Sequence, residues 1–119
     1  MANNKIELEG LPSINGGLSY AIITEKIPSF QYTDGKKAGD VPIAWRISVA
    51  LQGARYSSLT VKIEGAAEPL PEISNEAIGE ACRNKVIPVS FTDLKVTLYT
   101  INGQLVKTGI ATGVSIAGK

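Results

Sequence analysis

Apolar and polar residues alternate along most of this chain with a period of two, the spacing of a half-buried β-strand. In Val41–Leu51 every odd position is apolar, from Val41 through Trp45 to Leu51, whereas the even positions include Arg46 and Ser48. The other runs are Leu18–Lys26 (which Pro28–Thr33 extends past a bend), Leu59–Ile63, Leu94–Tyr99, and Ile110–Ile116 with Ile110, Thr112, Val114 and Ile116 on one face. The pattern therefore predicts five strands, of which the first and last are long.

Two connections between these runs have recognisable turn chemistry. Asp34–Asp40 is polar and contains glycine, so it predicts a loop between the first and second strands. Asn102-Gly103 lies between Leu94–Tyr99 and Gln104–Lys107, and Asn-Gly favours the positive φ angles of a type I′ turn. We therefore expect a hairpin there between the fourth and fifth strands.

One segment, residues 73–83, has helical periodicity instead. Its apolar stripe consists of Ile73, Ala77, Ile78, Ala81 and Cys82. Ser74 or Asn75 is expected to be the N-cap, and Glu76 would lie in the first turn, where the helix dipole favours negative charge. Because Cys82 belongs to this stripe, we expect it to be a small buried side chain rather than a nucleophile.

The 119 residues fit a single domain covering 1–119, with a β-barrel core at 18–117 and a loose segment at 1–10. The order of three strands, a helix and two strands predicts a mainly β fold, a five-stranded OB-like barrel with one short helix between strands 3 and 4. An antiparallel β-sandwich with an inserted helix is the alternative that the same pattern allows.

The composition argues against catalysis. The chain has no histidine, which excludes Ser-His-Asp and Cys-His machinery and every imidazole metal site. No phosphate-binding glycine motif occurs, and Glu76 and Glu80 would lie on a solvated helix face. We therefore expect a protein that is not an enzyme and that uses neither a metal nor a small-molecule cofactor.

The same composition indicates in which cellular compartment the protein is located. The single cysteine, Cys82, cannot form an intrachain disulfide, which favours a reducing compartment. No stretch approaches the roughly 20 apolar residues that a membrane-spanning helix needs. We therefore expect a soluble, cytoplasmic protein without a membrane partner.

Charge is segregated along the chain although the totals, 12 basic and 11 acidic residues, nearly cancel. Five acids recur every fourth position with no lysine or arginine between them: Glu64, Glu68, Glu72, Glu76 and Glu80. Without these five, the chain has 12 basic and 6 acidic residues, a balance of +6. An acidic edge beside a mildly basic barrel is typical of a track for a polyanion, although both can also be ordinary solvated faces.

Basic residues are interleaved with aromatic ones, as in proteins that bind single-stranded nucleic acid through phosphates and stacked bases. On an OB-like barrel, the second and third strands and the two flanking loops form the binding face. The basic candidates are Lys36, Lys37, Arg46, Arg55, Lys62 and Lys95, and the aromatic candidates are Phe30, Tyr32, Tyr56 and Tyr99. Trp45 is expected in the core instead, because it lies on the apolar face of its strand.

Four strings, KIPSFQYTDGKKAGD, VPIAWRISVAL, SSLTVKIEGAAEPL and LKVTLYTINGQLVKTGIATGVSI, together resemble the small single-stranded-DNA-binding proteins of bacterial mobile elements, namely conjugative elements, plasmids and phages. The resemblance covers residues 18–117 and consists of length and element order, without an invariant motif. It implies an OB-like fold, sequence-independent binding of single-stranded DNA and a homo-oligomer. The chain departs from that pattern in having few aromatic residues.

The expectation is therefore non-enzymatic binding of single-stranded DNA in replication or transfer of a mobile element. The first alternative is a structural or protein-interaction module of a phage or conjugation apparatus, with Ile110–Ala117 as an edge strand for assembly. An oligosaccharide or small-ligand binder ranks third, and a metal-dependent enzyme ranks last.

Overall fold

The structure, a computed structural model, describes residues 6–37, 39 and 41–117. Within these residues there are ten strands and one α-helix, in the order β1 (Ile6–Glu9), β2 (Ala21–Ser29), β3 (Tyr32–Thr33), β4 (Lys36–Lys37), β5 (Ala44–Leu51), β6 (Ser57–Glu64), α1 (Asn75–Arg83), β7 (Pro88–Thr92), β8 (Lys95–Ile101), β9 (Gln104–Ala111) and β10 (Gly113–Ile116). Single 3-10 turns follow β1 at Leu11–Ser13 and β5 at Gln52–Ala54.

Eight strands form one curled, open sheet in the order β1-β8-β9-β6-β5-β2-β7-β10, and β3 and β4 form a separate hairpin. Neighbours in the large sheet are antiparallel except β6 and β9, which are parallel. The mainly β class is confirmed, but the sheet has eight strands rather than five. The helix consequently lies between β6 and β7 instead of between a third and a fourth strand.

Of the additional strands, β10 arises because the last predicted run is interrupted, whereas β7 precedes the run predicted at Leu94–Tyr99 and has no counterpart in the pattern. Asp93 has a left-handed φ of 53° and separates β7 from β8. At the facing interruption, between β9 and β10, the Thr112 backbone N–H donates to the Thr92 carbonyl at 2.9 Å. The bend leaves Ile110 exposed whereas Val114 packs against the core, so the prediction that these residues share one face is wrong.

A further strand, β1, comes from the N-terminal segment. Residues Ile6–Glu9 pair antiparallel with β8 from Leu98 to Lys95, so this part of the segment predicted to be loose is a strand. Residues 1–5 lie outside the described residues.

The core covers the inner, concave face of the sheet. Ile47, Val49 and Leu51 of β5 are buried, as are the apolar positions of Leu59–Ile63 on β6, which confirms the period-two pattern there. For β5, however, the predicted start at Val41 is wrong: the strand begins at Ala44, and Val41 is 66% exposed. Trp45, expected in the core, is only half-buried, and its indole N–H donates to the Ala66 carbonyl at 3.3 Å.

Lys26 is a buried lysine that the alternation did not indicate. A register shift between Ile23 and Glu25 adds one residue to β2, so Lys26 faces inward and is 2% exposed. Its Nζ donates to Glu68 Oε2 at 2.8 Å and to the carbonyls of Pro69 at 3.2 Å and Leu70 at 2.8 Å. This single side chain ties the long connection after β6 to the sheet.

The helix α1 is attached to β2 through Asn75. The Asn75 side-chain oxygen accepts from the Lys26 N–H at 2.8 Å, and its amide donates to the Lys26 carbonyl at 2.7 Å, so it pairs with β2 as a neighbouring strand would. Ile78 is fully buried, whereas Ala77 and Cys82 are exposed. The expected burial of Cys82 is therefore wrong, because the helix contacts β2 through a narrower stripe than the pattern suggested.

Asn15 holds the N-terminal connection against the turn between β5 and β6. It is fully buried, and its side-chain amide donates to the Tyr20 carbonyl at 2.7 Å and to Gln52 Oε1 at 3.2 Å. Its side-chain oxygen accepts from the Gly53 N–H at 2.6 Å. The backbones of Asn15 and Gly53 consequently lie too close together for a side chain at position 53.

Ser74→Ala is expected to lower the free energy of unfolding by about 1 kcal/mol, the usual contribution of a serine N-cap. The reason is that Ser74 Oγ accepts from the Ala77 N–H at 3.1 Å at the start of α1. Urea unfolding measures the change, and Ser58→Ala on the exposed side of β6 is the control. Equal stability of the two variants would contradict a capping role for Ser74.

Candidate functional site

Five side chains lie side by side across the outer, convex face of the sheet. The register pairs Ile27 of β2 with Arg46 of β5, Arg46 with Lys62 of β6, Lys62 with Ile110 of β9, and Ile110 with Lys95 of β8. Directly paired residues point to the same side of a sheet, so the five form one line, here called the outer row.

Burial of the chain neighbours shows that the outer row faces away from the core. Lys26, Ile47, Val61, Ala111 and Val96, each adjacent in sequence to a member of the row, are all buried. Within the row, Ile27 is 43% exposed and Ile110 is 46% exposed. The row is therefore an accessible surface of three cationic and two apolar side chains, with Arg46 and Lys62 next to each other.

Arg46 and Lys62 are cross-strand partners that carry the same charge. Like charges directly opposite each other destabilise a sheet. Glu64 lies near Lys62, with Glu64 Oε1 at 3.8 Å from Lys62 Nζ, but this exposed ion pair contributes little. The arrangement concentrates positive charge at the centre of the face, where an anion would relieve the repulsion.

A second line of side chains on the same face is made of hydroxyl groups. Ser48 pairs with Thr60, Thr60 with Thr108, and Thr108 with Thr97, two residues along each strand from the outer row. The oxygens Ser48 Oγ and Thr60 Oγ1 are 3.4 Å apart. This hydroxyl row offers neutral donors beside the cations, and serine and threonine hydroxyls are common phosphate contacts.

Acidic residues border both rows. Glu9 of β1 pairs with Lys95, Glu7 of β1 pairs with Thr97, and Glu25 of β2 pairs with Ser48. Beside the row, a surface cavity of about 910 Å³ is lined by Glu9, Glu64, Asp93 and Lys95 over the apolar residues Phe91 and Leu94. These carboxylates place negative charge along the borders of the two rows.

A hairpin projects from the β2–β5 end of the face. Its base is closed by the Ile43 N–H donating to the Ser29 carbonyl at 2.8 Å, and its tip is Asp34-Gly35, with φ angles of 53° and 78°. Asp-Gly is a type I′ turn signal, and the first part of the predicted loop Asp34–Asp40 accordingly forms the turn and the second strand of this hairpin.

This hairpin, residues 30–37, is here called the arm, and it carries four of the predicted site residues. Tyr32 is 63% exposed, Lys36 is exposed and Phe30 is half-buried. Lys37 pairs with Tyr32 through the backbone. The side chain of Lys37 and residues 38 and 40 of the loop lie outside the part of the chain that the structure describes. The arm begins two residues beyond the Ile27–Arg46 pair, so it stands next to the outer row.

The remaining predicted residues lie towards the opposite end of the face. Arg55 and Tyr56 form the turn between β5 and β6, both with a φ of 59° and both exposed. Tyr99 is half-buried on β8, four residues from Lys95 on the same side of the strand. The hairpin at Asn102-Gly103 is confirmed, with φ angles of 52° and 79°. The structure thus brings Arg46, Lys62 and Lys95 together and distributes the aromatic candidates around them.

The five glutamates that recur every fourth position between residues 64 and 80 all face solvent. Glu64, Glu68, Glu72, Glu76 and Glu80 are all exposed, and Glu68 also binds Lys26. The segregation of charge along the sequence is therefore only partly a segregation of surfaces: four of these acids lie on the connection and α1, whereas Glu64 lies on β6 beside Lys62.

Comparison with known proteins finds no family model, no curated protein and no solved structure that matches this chain. Among the described residues, no helix has the length and apolar character needed to cross a membrane.

Proposed function

We propose that this protein binds single-stranded DNA on the outer row, without base-sequence specificity and without catalysis, in the replication or transfer of a mobile genetic element in the cytoplasm. The observation that carries the proposal is the direct cross-strand pairing of Arg46 with Lys62, two strands from Lys95 on one exposed face. Such a pairing has a cost for the free protein and becomes favourable when a polyanion is bound.

We further infer that the sheet is an OB-like barrel in which two of five strands are bent. Taking β7 with β8 as one strand and β9 with β10 as another leaves the order β2, β5, β6, β9–β10 and β7–β8. Strand β7 pairs with β2 at Ala21 and Ile22, which brings the ends of this series together. The helix then lies between the third and fourth strands, and β1 is an addition at the edge. The arrangement agrees with a partly open Greek-key barrel.

The chemistry of the face suits an extended single strand. Arg46, Lys62 and Lys95 can each neutralise a phosphate, and the hydroxyl row can donate to phosphate oxygens. The exposed rings of Tyr32 and Tyr56 stand at opposite ends of the face, where they are accessible to unpaired bases. The remaining candidates, Phe30, Lys36, Lys37, Arg55 and Tyr99, are proposed to extend this contact along the arm and towards the far turns.

The function is tested by titrating fluorescently labelled oligo-dT with the full chain at low and moderate salt. We expect saturable binding at low salt, weaker binding to duplex of equal length, and an affinity that falls linearly with salt on logarithmic axes. No binding at low salt, or equal affinity for duplex, would refute the proposal.

The double variant Arg46→Gln/Lys62→Gln is expected to weaken oligo-dT binding at least tenfold and to reduce the logarithmic salt slope by about 1.4, since each single-strand phosphate contact contributes about 0.7. The control is Arg83→Gln/Lys85→Gln, which removes the same charge from exposed residues at the end of α1. If both double variants lose the same affinity, binding reflects net charge and the outer row is not the site.

Self-association of the protein, the other property that the resemblance implies, is proposed to use β10. This strand ends the sheet, pairs only with β7 within the described residues, and carries the half-buried Val114 and Ile116. An end strand with an open edge can pair with a second copy. The structural-module alternative uses the same edge, but it predicts assembly without affinity for oligo-dT.

A further inference from the structure

The outer row contains two exposed isoleucines as well as its three cations. Ile110 lies directly between Lys62 and Lys95, and Ile27 lies next to Arg46. Both are close to half exposed on strands whose inward-facing neighbours are buried. Two such side chains within a charged row suggest contact with a ligand that has both anionic and apolar parts.

No member of the outer row is aromatic. Along β8 the first aromatic residue on the same side as Lys95 is Tyr99, which is half-buried and four residues away. Tyr32 and Tyr56 are well exposed but belong to the arm and to the β5–β6 turn. A base that contacts the row itself would therefore meet aliphatic side chains, although the half-buried Phe91 lines the cavity beside Ile110 and Lys95.

We propose that Ile110, between Lys62 and Lys95, and Ile27, at the end of the row beside Arg46, are base contacts of the site, and that they favour thymine through its C5-methyl group. This inference rests on the proposed binding of single-stranded DNA. The cations next to each isoleucine hold phosphates, and the isoleucine methyl groups pack against the adjacent bases. Apolar side chains commonly contact the thymine methyl group in DNA recognition.

The length of the outer row limits how many nucleotides can contact it at once. Neighbouring strands are about 4.8 Å apart, so the four steps from β2 to β8 span about 19 Å. Glu9 on β1 closes one end of this span with negative charge. The central contact therefore covers only a few nucleotides, at the small end of the roughly 4–16 that such a fold accommodates.

Oligo-dT and oligo-dU of equal length isolate the proposed contact because their bases differ only in the C5-methyl group. We expect the wild-type chain to bind oligo-dT about threefold to fivefold more tightly than oligo-dU, the ratio that burial of the methyl group of one base produces. In Ile27→Thr/Ile110→Thr this preference is expected to disappear, with an unchanged salt slope because no charge is altered.

The control is Ile6→Thr, which makes the same chemical change at an isoleucine 55% exposed on β1, opposite Leu98 and outside the row. It is expected to keep the preference for oligo-dT. Equal wild-type affinity for the two oligonucleotides, or a preference that survives in the double variant, would overturn the inference while leaving single-strand binding intact. Absence of any binding by the wild type would instead refute the proposed function.

Discussion

Lys26→Ala is expected to lower the free energy of unfolding by about 3 kcal/mol, within the range for truncating a long buried side chain to alanine. The lysine ammonium group satisfies three acceptors at once, the Glu68 carboxylate and the carbonyls of Pro69 and Leu70. Glu68 is 44% exposed and can turn to solvent, but Leu70 is buried and its carbonyl would lose this donor. The removed stem also leaves a cavity between β2 and the connection.

Urea unfolding of the Lys26 variant, compared with Lys62→Ala, measures this effect. Lys62 has an exposed side chain, so its substitution is expected to change stability by no more than about 0.5 kcal/mol. Lys26→Met separates the two causes, since it retains the apolar volume and loses only the hydrogen bonds. If Lys26→Ala is as stable as Lys62→Ala, then Lys26 does not anchor the connection.

Gly53→Ala is expected to destabilise the protein by about 2–3 kcal/mol, the range found when atoms are forced into a closely packed site. An added Cβ would overlap the Asn15 carbonyl and would lie 3.0 Å from the Gly16 nitrogen. Both obstacles are backbone, so no flexible side chain can move aside. Relief requires separating the N-terminal connection from the β5–β6 turn and weakening the hydrogen bond between Asn15 and the Gly53 N–H.

Gly79→Ala is the matched control, and its expected effect has the opposite sign. Position 79 lies inside α1, where an added Cβ meets nothing within 4 Å. Alanine in a helix interior is favoured over glycine by about 0.8–1 kcal/mol, so this variant is expected to be more stable than the wild type. Thermal unfolding distinguishes the two glycines, and a neutral Gly53→Ala would contradict the packing described at Asn15.

Sequence periodicity was sufficient to predict those parts of the fold that are determined by residues close together in the sequence. The inward positions of β5 and β6 followed from alternation alone, as did the turn at Asn102-Gly103. The inward position of Lys26 could not be predicted, because one extra residue in β2 reverses the faces and leaves no signal in composition.

The candidate site was predictable residue by residue but not as an arrangement. Arg46, Lys62 and Lys95 were each expected to point outward from their strands, yet their alignment depends on the parallel pairing of β6 with β9, which joins segments 48 residues apart at Thr60 and Thr108. The same register brings Ile110 into the row. The alternation instead predicts Ile110 on one face with Val114, so this side chain is not expected from sequence to be a contact residue.

Amide chemical shifts during titration of the isotope-labelled chain with a short oligo-dT test the central claim most directly. The account predicts the largest changes at Ile27, Arg46, Lys62, Lys95 and Ile110, with smaller changes at the hydroxyl row and the arm, and little change along α1. Changes concentrated on α1 or on the β10 edge, with an unperturbed outer row, would contradict the proposed site.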